Sequence, residues 1–165
     1  MNIFYDCFES PVGLLYLLIR GRELAGVSIG RKPSGCRKAA ADRALINEFR
    51  QYFDGTLKAF TYPFSMIDGT PFERSVWLAL LEIPYGQTSS YKWIAERAGR
   101  PQAARAAGQA LAKNPLPIVL PCHRVIESGG GLGGYSPDLE IKRRLLELEY
   151  YHSIHTEPHP HPFLT

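Results

Sequence analysis

At Thr70 the periodicity of the chain changes, and that change limits what it can fold into. Before it, short apolar runs alternate with turn residues; after it, apolar residues recur every three or four positions. Ile3–Phe8, Leu14–Ile19 and Leu24–Ile29 are apolar-rich and are separated by Ser10-Pro11, Gly13 and Arg20-Gly21-Arg22. They predict three strands, the last two joined as a hairpin through Gly21. A polar, flexible stretch, 30–37, follows. Ala41, Leu45, Phe49, Tyr52 and Phe53 then predict a helix over 39–53, stopped by Gly55. Residues 55–69 predict an irregular connection whose aromatics pack on the body of the protein.

Thr70-Pro71-Phe72-Glu73 carries the pattern of a capping box, with threonine at the cap, proline at the first helical position and glutamate two further on. Phe72, Val76, Ala79, Leu80 and Ile83 form the apolar stripe of that helix, which Pro84-Tyr85-Gly86 ends. Ser90 is placed to cap a second helix, 91–98, closed by Gly99; Pro101 opens a third, reaching about Lys113. Two helices joined by a Gly-Arg-Pro turn outline a helix-turn-helix. A last helix starts near Asp138 and turns Ile141, Leu145 and Leu148 inward.

The expected fold is therefore a small α/β unit over residues 1–69, connection included, and a mainly helical unit over 70–152. Residues 153–165 are expected as a flexible His/Pro-rich tail, and four of the five histidines (His152, His155, His159, His161) lie in or beside it.

Composition excludes several classes of function. The chain has 165 residues, 45% hydrophobic and 21% charged, so it can bury a core. A net charge of +3 without a basic tail argues against a broad electrostatic coat for nucleic acid but leaves room for a local basic face. No charged leader with an apolar core opens the chain, and Val12–Ile19 is too short to span a bilayer. Cys7, Cys36 and Cys122 are odd in number and widely spaced, which predicts a reducing cytoplasm and no disulfide framework.

Two segments carry chemistry. On the third helix Gln102, Arg105, Gln109 and Lys113 share one face with Ala106 and lie opposite Ala103, Ala107, Ala110 and Leu111. Small residues keep this surface slim enough to approach a narrow groove, although a solvated amphipathic helix has the same pattern. The second segment is Leu120-Pro-Cys-His-Arg-Val-Ile126. A thiol with a pKa near ~8.5 needs a base or a positive neighbour to act as nucleophile. His123 and Arg124 are the adjacent candidates. Neighbours on a strand point to opposite faces, so a Cys122–His123 pair requires a bend or a bridging water. A cysteine after an apolar run is also a common inert core residue.

The wider context is more particular. "PYGQTSSY", "AARAAG", "NPLPIVLPCHRVI" and "GLGGYS" together resemble the signature of the O6-alkylguanine-DNA alkyltransferases, the methylated-DNA–protein-cysteine methyltransferases, from about Thr70 to Glu149. "ESPVG", the hairpin and "QYFDG" are similar to that family's ribonuclease-H-like N-terminal domain.

The resemblance implies an irreversible, single-turnover transfer of an alkyl group from O6 of guanine in double-stranded DNA to Cys122. It gives His123 the part of base, acting through a water, Glu149 that of orienting carboxylate, and Asn114 that of a hinge tying the active-site turn to the helix-turn-helix. Tyr91 would help flip the nucleotide and donate to the base. Arg105 would take its place in the stack. Tyr135 and Ser136 would close over the guanine, and the carbonyls of Cys122 and Val125 would read its amino group. It also implies minor-groove binding by the third helix, no cofactor and a monomer in the cytoplasm or on the nucleoid.

Two departures matter. Pro137-Asp138 stand where the family usually has two glycines; proline stiffens the pocket rim and leaves the range of alkyl groups open, while Asp138 is placed to cap the last helix. Neither Cys7 nor Cys36 lies at the positions of the zinc ligands some members carry. The competing readings are a non-catalytic lesion-binding protein, which Cys122 counts against, a cysteine hydrolase, which leaves Arg105 idle, and a helix-turn-helix regulator of undamaged DNA.

Overall fold

A computed structural model describes residues 2–134 and 138–155. The N-terminal part is a four-stranded sheet with the order β3-β2-β1-β4, where β1 is Ile3–Ser10, β2 Gly13–Arg20, β3 Glu23–Ile29 and β4 Arg37–Lys38. β1–β2 and β2–β3 are antiparallel hairpins, so both turns close and not only the one at Gly21, which takes φ +63°. β4 pairs parallel with β1 and gives the stretch expected as flexible a short ordered element.

Alternation on β2 buries Leu15, Leu17 and Ile19 on one face. Helix α1, Arg43–Asp54, covers that side with Leu45, Phe49, Tyr52 and Phe53, as its spacing predicts. It begins at 43 and not 39 because the Asp42 side chain accepts from the Ala44 amide and sets the cap there.

The connection over 55–69 is strapped to the body, as its aromatics predict. Phe60 packs on Phe49 and Tyr52, with ring centroids 4.9 and 5.5 Å apart. The chain pairs along β3 through Leu24 N to Pro63 O and Ser65 N to Leu24 O, each 2.9 Å. Buried Glu48 of α1 accepts from the amides of Thr61 and Tyr62.

The C-terminal part is helical: α2 Pro71–Ala79, α3 Tyr91–Arg97, α4 Ala104–Ala112 and α5 Leu139–Ile154, with a two-stranded ladder of β5, Ser89–Ser90, and β6, Val125–Ile126. Three caps form as read. Thr70 and Glu73 close the reciprocal box, Ser90 accepts from the Trp93 amide, and Asp138 accepts from the Glu140 amide. α2 and α4 are locked by buried Trp77, whose Nε1 donates to the Ala110 carbonyl at 2.8 Å.

The third helix starts at Ala104, three residues later than Pro101 suggests. Gly99, at φ +86°, lets the Arg100 amide turn back to the Ala95 carbonyl at 2.9 Å, and the chain needs residues 101–103 to reverse before it can wind again. α5 runs to Ile154, past the expected start of the tail at 153, and places His152 in the helix and His155 at its C-cap.

Replacing Glu48 by alanine strands two backbone donors under the connection. The expected loss is about 1–3 kcal/mol of unfolding free energy, to be read from urea denaturation.

Candidate active site

The LPCHRVI segment is not one continuous strand or α-helix: a single 3-10 turn, Cys122–Arg124, leads into β6. Asn114 explains how it is held. Its Nδ2 donates to the Leu120 carbonyl at 2.7 Å and its Oδ1 accepts from the Leu116 amide at 2.9 Å. Between these anchors buried Ile118 takes φ +78°, a conformation costly for a β-branched residue and kept only where the surroundings over-determine it. After Pro121 the chain enters one 3-10 turn, Cys122–Arg124. Side chains in such a turn fan out about a third of a revolution apart. Cys122, His123 and Arg124 thus leave the same short turn in different directions, all three buried. This supplies the bend that the adjacent thiol and imidazole required.

His123 and Arg124 converge on Glu149 of α5. His123 Nε2 lies 2.6 Å from Glu149 Oε2. Arg124 grips both oxygens, Nε to Oε1 at 2.8 Å and Nη2 to Oε2 at 3.0 Å, and its Nη1 donates to the Ile83 carbonyl at 2.7 Å. Tyr52 reaches in from α1 and donates to Oε2 at 2.6 Å, and the Gly86 amide donates to Oε1 at 3.2 Å. Gly86 must be a glycine here. At φ +78°, a Cβ on it would lie 2.7 Å from Ser153 Cβ of α5 and would push that helix away.

Electrostatics fixes the protonation states. Burial alone would raise the Glu149 carboxyl, but His123 and Arg124 outweigh it and hold the group well below the usual carboxylate range. Burial lowers His123 below its ordinary value; Glu149 opposes that, and Arg124 and Lys142 reinforce it. At neutral pH the pair is therefore a carboxylate and a neutral imidazole. The carboxylate accepts from Nε2–H, which leaves Nδ1 as the basic nitrogen. Nδ1 is buried and has no hydrogen-bond partner among the described residues.

Lys142 of α5 is fully buried. Its ammonium donates to the carbonyls of Val125 at 2.6 Å, Gly134 at 3.2 Å and Leu132. It ties the loop after β6 to the active-site turn, and its charge interacts with Cys122. The Val125 carbonyl, assigned to read guanine, already accepts this bond.

Above the sulfur lies a cavity of about 600 Å³, within the range of small-molecule pockets. Cys122, Tyr91, Arg105, Gly108, Gln109 and Gly134 line it. A glycine keeps room for Tyr91: a Cβ on Gly133, at φ +70°, would sit only 2.4 Å from its hydroxyl. That hydroxyl donates to the Gly134 carbonyl at 3.4 Å.

Of the residues expected to meet a groove, Arg105 and Gln109 are exposed on α4 and Ala106 is half-buried beside them. Gln102 stands in the turn before α4, off the helix on which it was expected. Lys113 caps the helix, with its ammonium 3.6 Å from Glu73 of α2. Tyr135 and Ser136, with Pro137, lie outside the described residues. No group of three or more His, Cys, Asp or Glu residues that could hold a metal occurs among the described residues.

Sequence reasoning left Arg124 without a part and passed over Tyr52 and Lys142. Lys142 alone had a local signal, since it stands beside Ile141 and three residues before Leu145 on the inward stripe.

Residues 71–151 match the family described as 6-O-methylguanine DNA methyltransferase, DNA binding domain. The methylated-DNA–protein-cysteine methyltransferase of Methanosarcina barkeri is 40% identical over 154 residues, covering 89% of this chain and 97% of that one. The protein of that name from Mycolicibacterium paratuberculosis is 43% identical over 157 residues, covering 92% and 94%. The crystal structure of Mycobacterium tuberculosis O6-methylguanine methyltransferase superposes with a TM-score of 0.85 at 37% identity over 99% of both chains. That of Mycobacterium tuberculosis OGT in complex with DNA gives 0.85 at 39%, covering 90% of this chain and 94% of that one. With its thiol and imidazole on one short turn, its carboxylate on α5 and this likeness running through nearly the whole chain, the protein belongs to the methylated-DNA–protein-cysteine methyltransferase family.

Proposed function

We propose that the protein repairs DNA by taking an alkyl group from O6 of guanine onto Cys122, once per molecule. The observation that carries this reading is the shared cavity: Cys122 lines it together with Tyr91 and Arg105, the residues on which a base from DNA would arrive. The Cys122 thiol gives its proton to His123 Nδ1 through a bridging water, and Glu149 holds the ring by Nε2. The sulfur attacks the alkyl carbon from the side opposite O6. The S–C bond forms as the C–O6 bond breaks, and its electron pair leaves with the guanine. The proton ends on the guanine, so an intact base and a thioether are the products.

The target must be out of the duplex to reach the sulfur. In this reading α3 and α4 form a helix-turn-helix that enters the minor groove. Arg105 fills the vacated place in the stack, and Tyr91 turns the nucleotide and donates to the base. Ala106, Gln109, Gln102 and Lys113 line the DNA face. Tyr135 and Ser136 close over the guanine, and the backbone at Cys122 and Val125 reads its amino group. Residues 1–69 form the ribonuclease-H-like unit and 70–152 the catalytic one. The protein acts as a monomer in the cytoplasm or on the nucleoid, without a cofactor. Among the described residues no helix is long and apolar enough to cross a membrane.

Incubation with duplex DNA containing O6-methylguanine is expected to add one methyl to the peptide that contains Cys122, detected by mass spectrometry. Tight lesion binding with an unmodified cysteine would instead identify a lesion sensor. Cys122→Ala should abolish transfer and keep binding to the same duplex.

Arg105→Ala should slow repair of a paired lesion about ten-fold more than transfer from free alkylguanine, because unstacking costs a few kcal/mol. Equal losses on the two substrates would remove Arg105 from the flipping step.

Burial holds His123 below its ordinary value, so it is the neutral base at and above that value. The transfer rate should be flat from neutral pH down to about 6.5 and fall only below it. A rate already falling between pH 8 and 7 as the solution is acidified would contradict the assignment.

A further inference from the structure

The described residues contain two other features that ask for an explanation. Around Lys58 and Tyr85, an ammonium lies 4.2 Å from the centre of an aromatic ring beside a small cavity, with nothing there to identify an occupant. The exposed apolar residues Leu78 and Leu81 likewise have no indicated partner. The contact between α1 and α5 carries an argument much further.

We propose that Tyr52 is a positioning residue for alkyl transfer. From α1 it donates to Glu149 Oε2, the oxygen that also accepts from His123 Nε2, and so governs how basic His123 is and how its ring is held. The geometry leaves little slack. Both bonds are 2.6 Å long and all three side chains are buried. Glu149 sits on α5, His123 on the 3-10 turn and Tyr52 in the N-terminal part, so the hydroxyl couples the sheet-and-helix unit to the reacting end of the molecule. Burial and the neighbouring carboxylate raise Tyr52 well above the ordinary phenol, so it remains a donor throughout the working range.

The electrostatic consequence has a definite sign. Each hydrogen bond to a carboxylate draws charge from it. Without the Tyr52 donor, Oε2 is more negative, attracts the imidazolium more strongly and raises His123. Less of the neutral base is then present at a given pH. The other groups around the pair are Arg124 on the same turn, Lys142 on α5, Tyr85 from the loop before β5, Lys58 from the connection, and Cys122. The cations oppose protonation of His123, and Tyr52→Phe leaves all of these groups in place. Phenylalanine also keeps the ring that packs on Phe60 at 5.5 Å.

The inference rests on reading His123 as the base for Cys122, so its test has one arm that does not. The imidazole of His123 is titrated by NMR in the full-length protein and in Tyr52→Phe. Its midpoint should rise by about half a unit or more, and the acid limb of the transfer rate should move by the same amount. Tyr85→Phe removes a buried hydroxyl that has no hydrogen-bond partner among the described residues and should move neither. Coincident titration curves for Tyr52→Phe and the parent overturn the proposal, even if the variant melts earlier. An equal shift in Tyr85→Phe also overturns it, since the effect would then be general polarity and not the bond. If the parent transfers no alkyl group, the repair reading fails, and the imidazole titration still decides the role of Tyr52.

Discussion

A single carboxylate organises the molecule. Glu149 is buried and ionised, a state that costs several kcal/mol unless its lone pairs are spent. They are spent on four residues from three places: His123 and Arg124 on the 3-10 turn, Gly86 in the loop before β5, and Tyr52 on α1. Each donor fixes the element that bears it relative to α5. The strap over 55–69, the left-handed Gly86 and the strained Ile118 become intelligible as the framework that brings those donors to one point. The ionised carboxylate also selects the tautomer of His123 and leaves Nδ1 available for chemistry.

The cavity beside Cys122 draws its walls from α3, α4 and the loop before α5. Arg105, Gly108 and Gln109 of α4 line it with Tyr91 and Cys122, and Gly133, at φ +70°, leaves room for the Tyr91 hydroxyl. Arg105 stands at the exposed edge with its charge solvated. Lys142 is buried, with its donors directed at the backbone carbonyls of Val125 and Gly134. The two basic side chains differ in function because one is solvated and the other is not.

Local features were legible in the sequence and long-range ones were not. The caps at Thr70, Ser90 and Asp138 involve residues two or three apart, and the side-chain chemistry alone announces them. Helical spacing on α1 reported burial correctly, whereas the uniformly apolar run of β2 did not say which face is buried. The start of α1 was misplaced because the apolar period was carried past Asp42, and the start of α4 because proline was read as its first residue when the reversal after Gly99 needed that length. His123 and Glu149 came from family resemblance. Arg124 could not be assigned because an arginine reads as exposed until its partner, 25 residues on, is known to be buried. Tyr52 looked like one more aromatic on an apolar stripe, for its hydroxyl finds its acceptor 97 residues away.

That last separation bears on how the protein is made. The carboxylate that completes the site belongs to the final described helix, and one of its partners belongs to the first. As the chain leaves the ribosome, the sheet and α1 can pack early, and the segment bearing the thiol follows while α5 is still unsynthesised. Closing so long a loop is entropically slow, and it must precede any reward from the contact. Until then His123 has no anion to orient it. In the proposed repair, reactivity is thereby tied to completion of the fold, and the nucleophile is not spent before there is a protein around it.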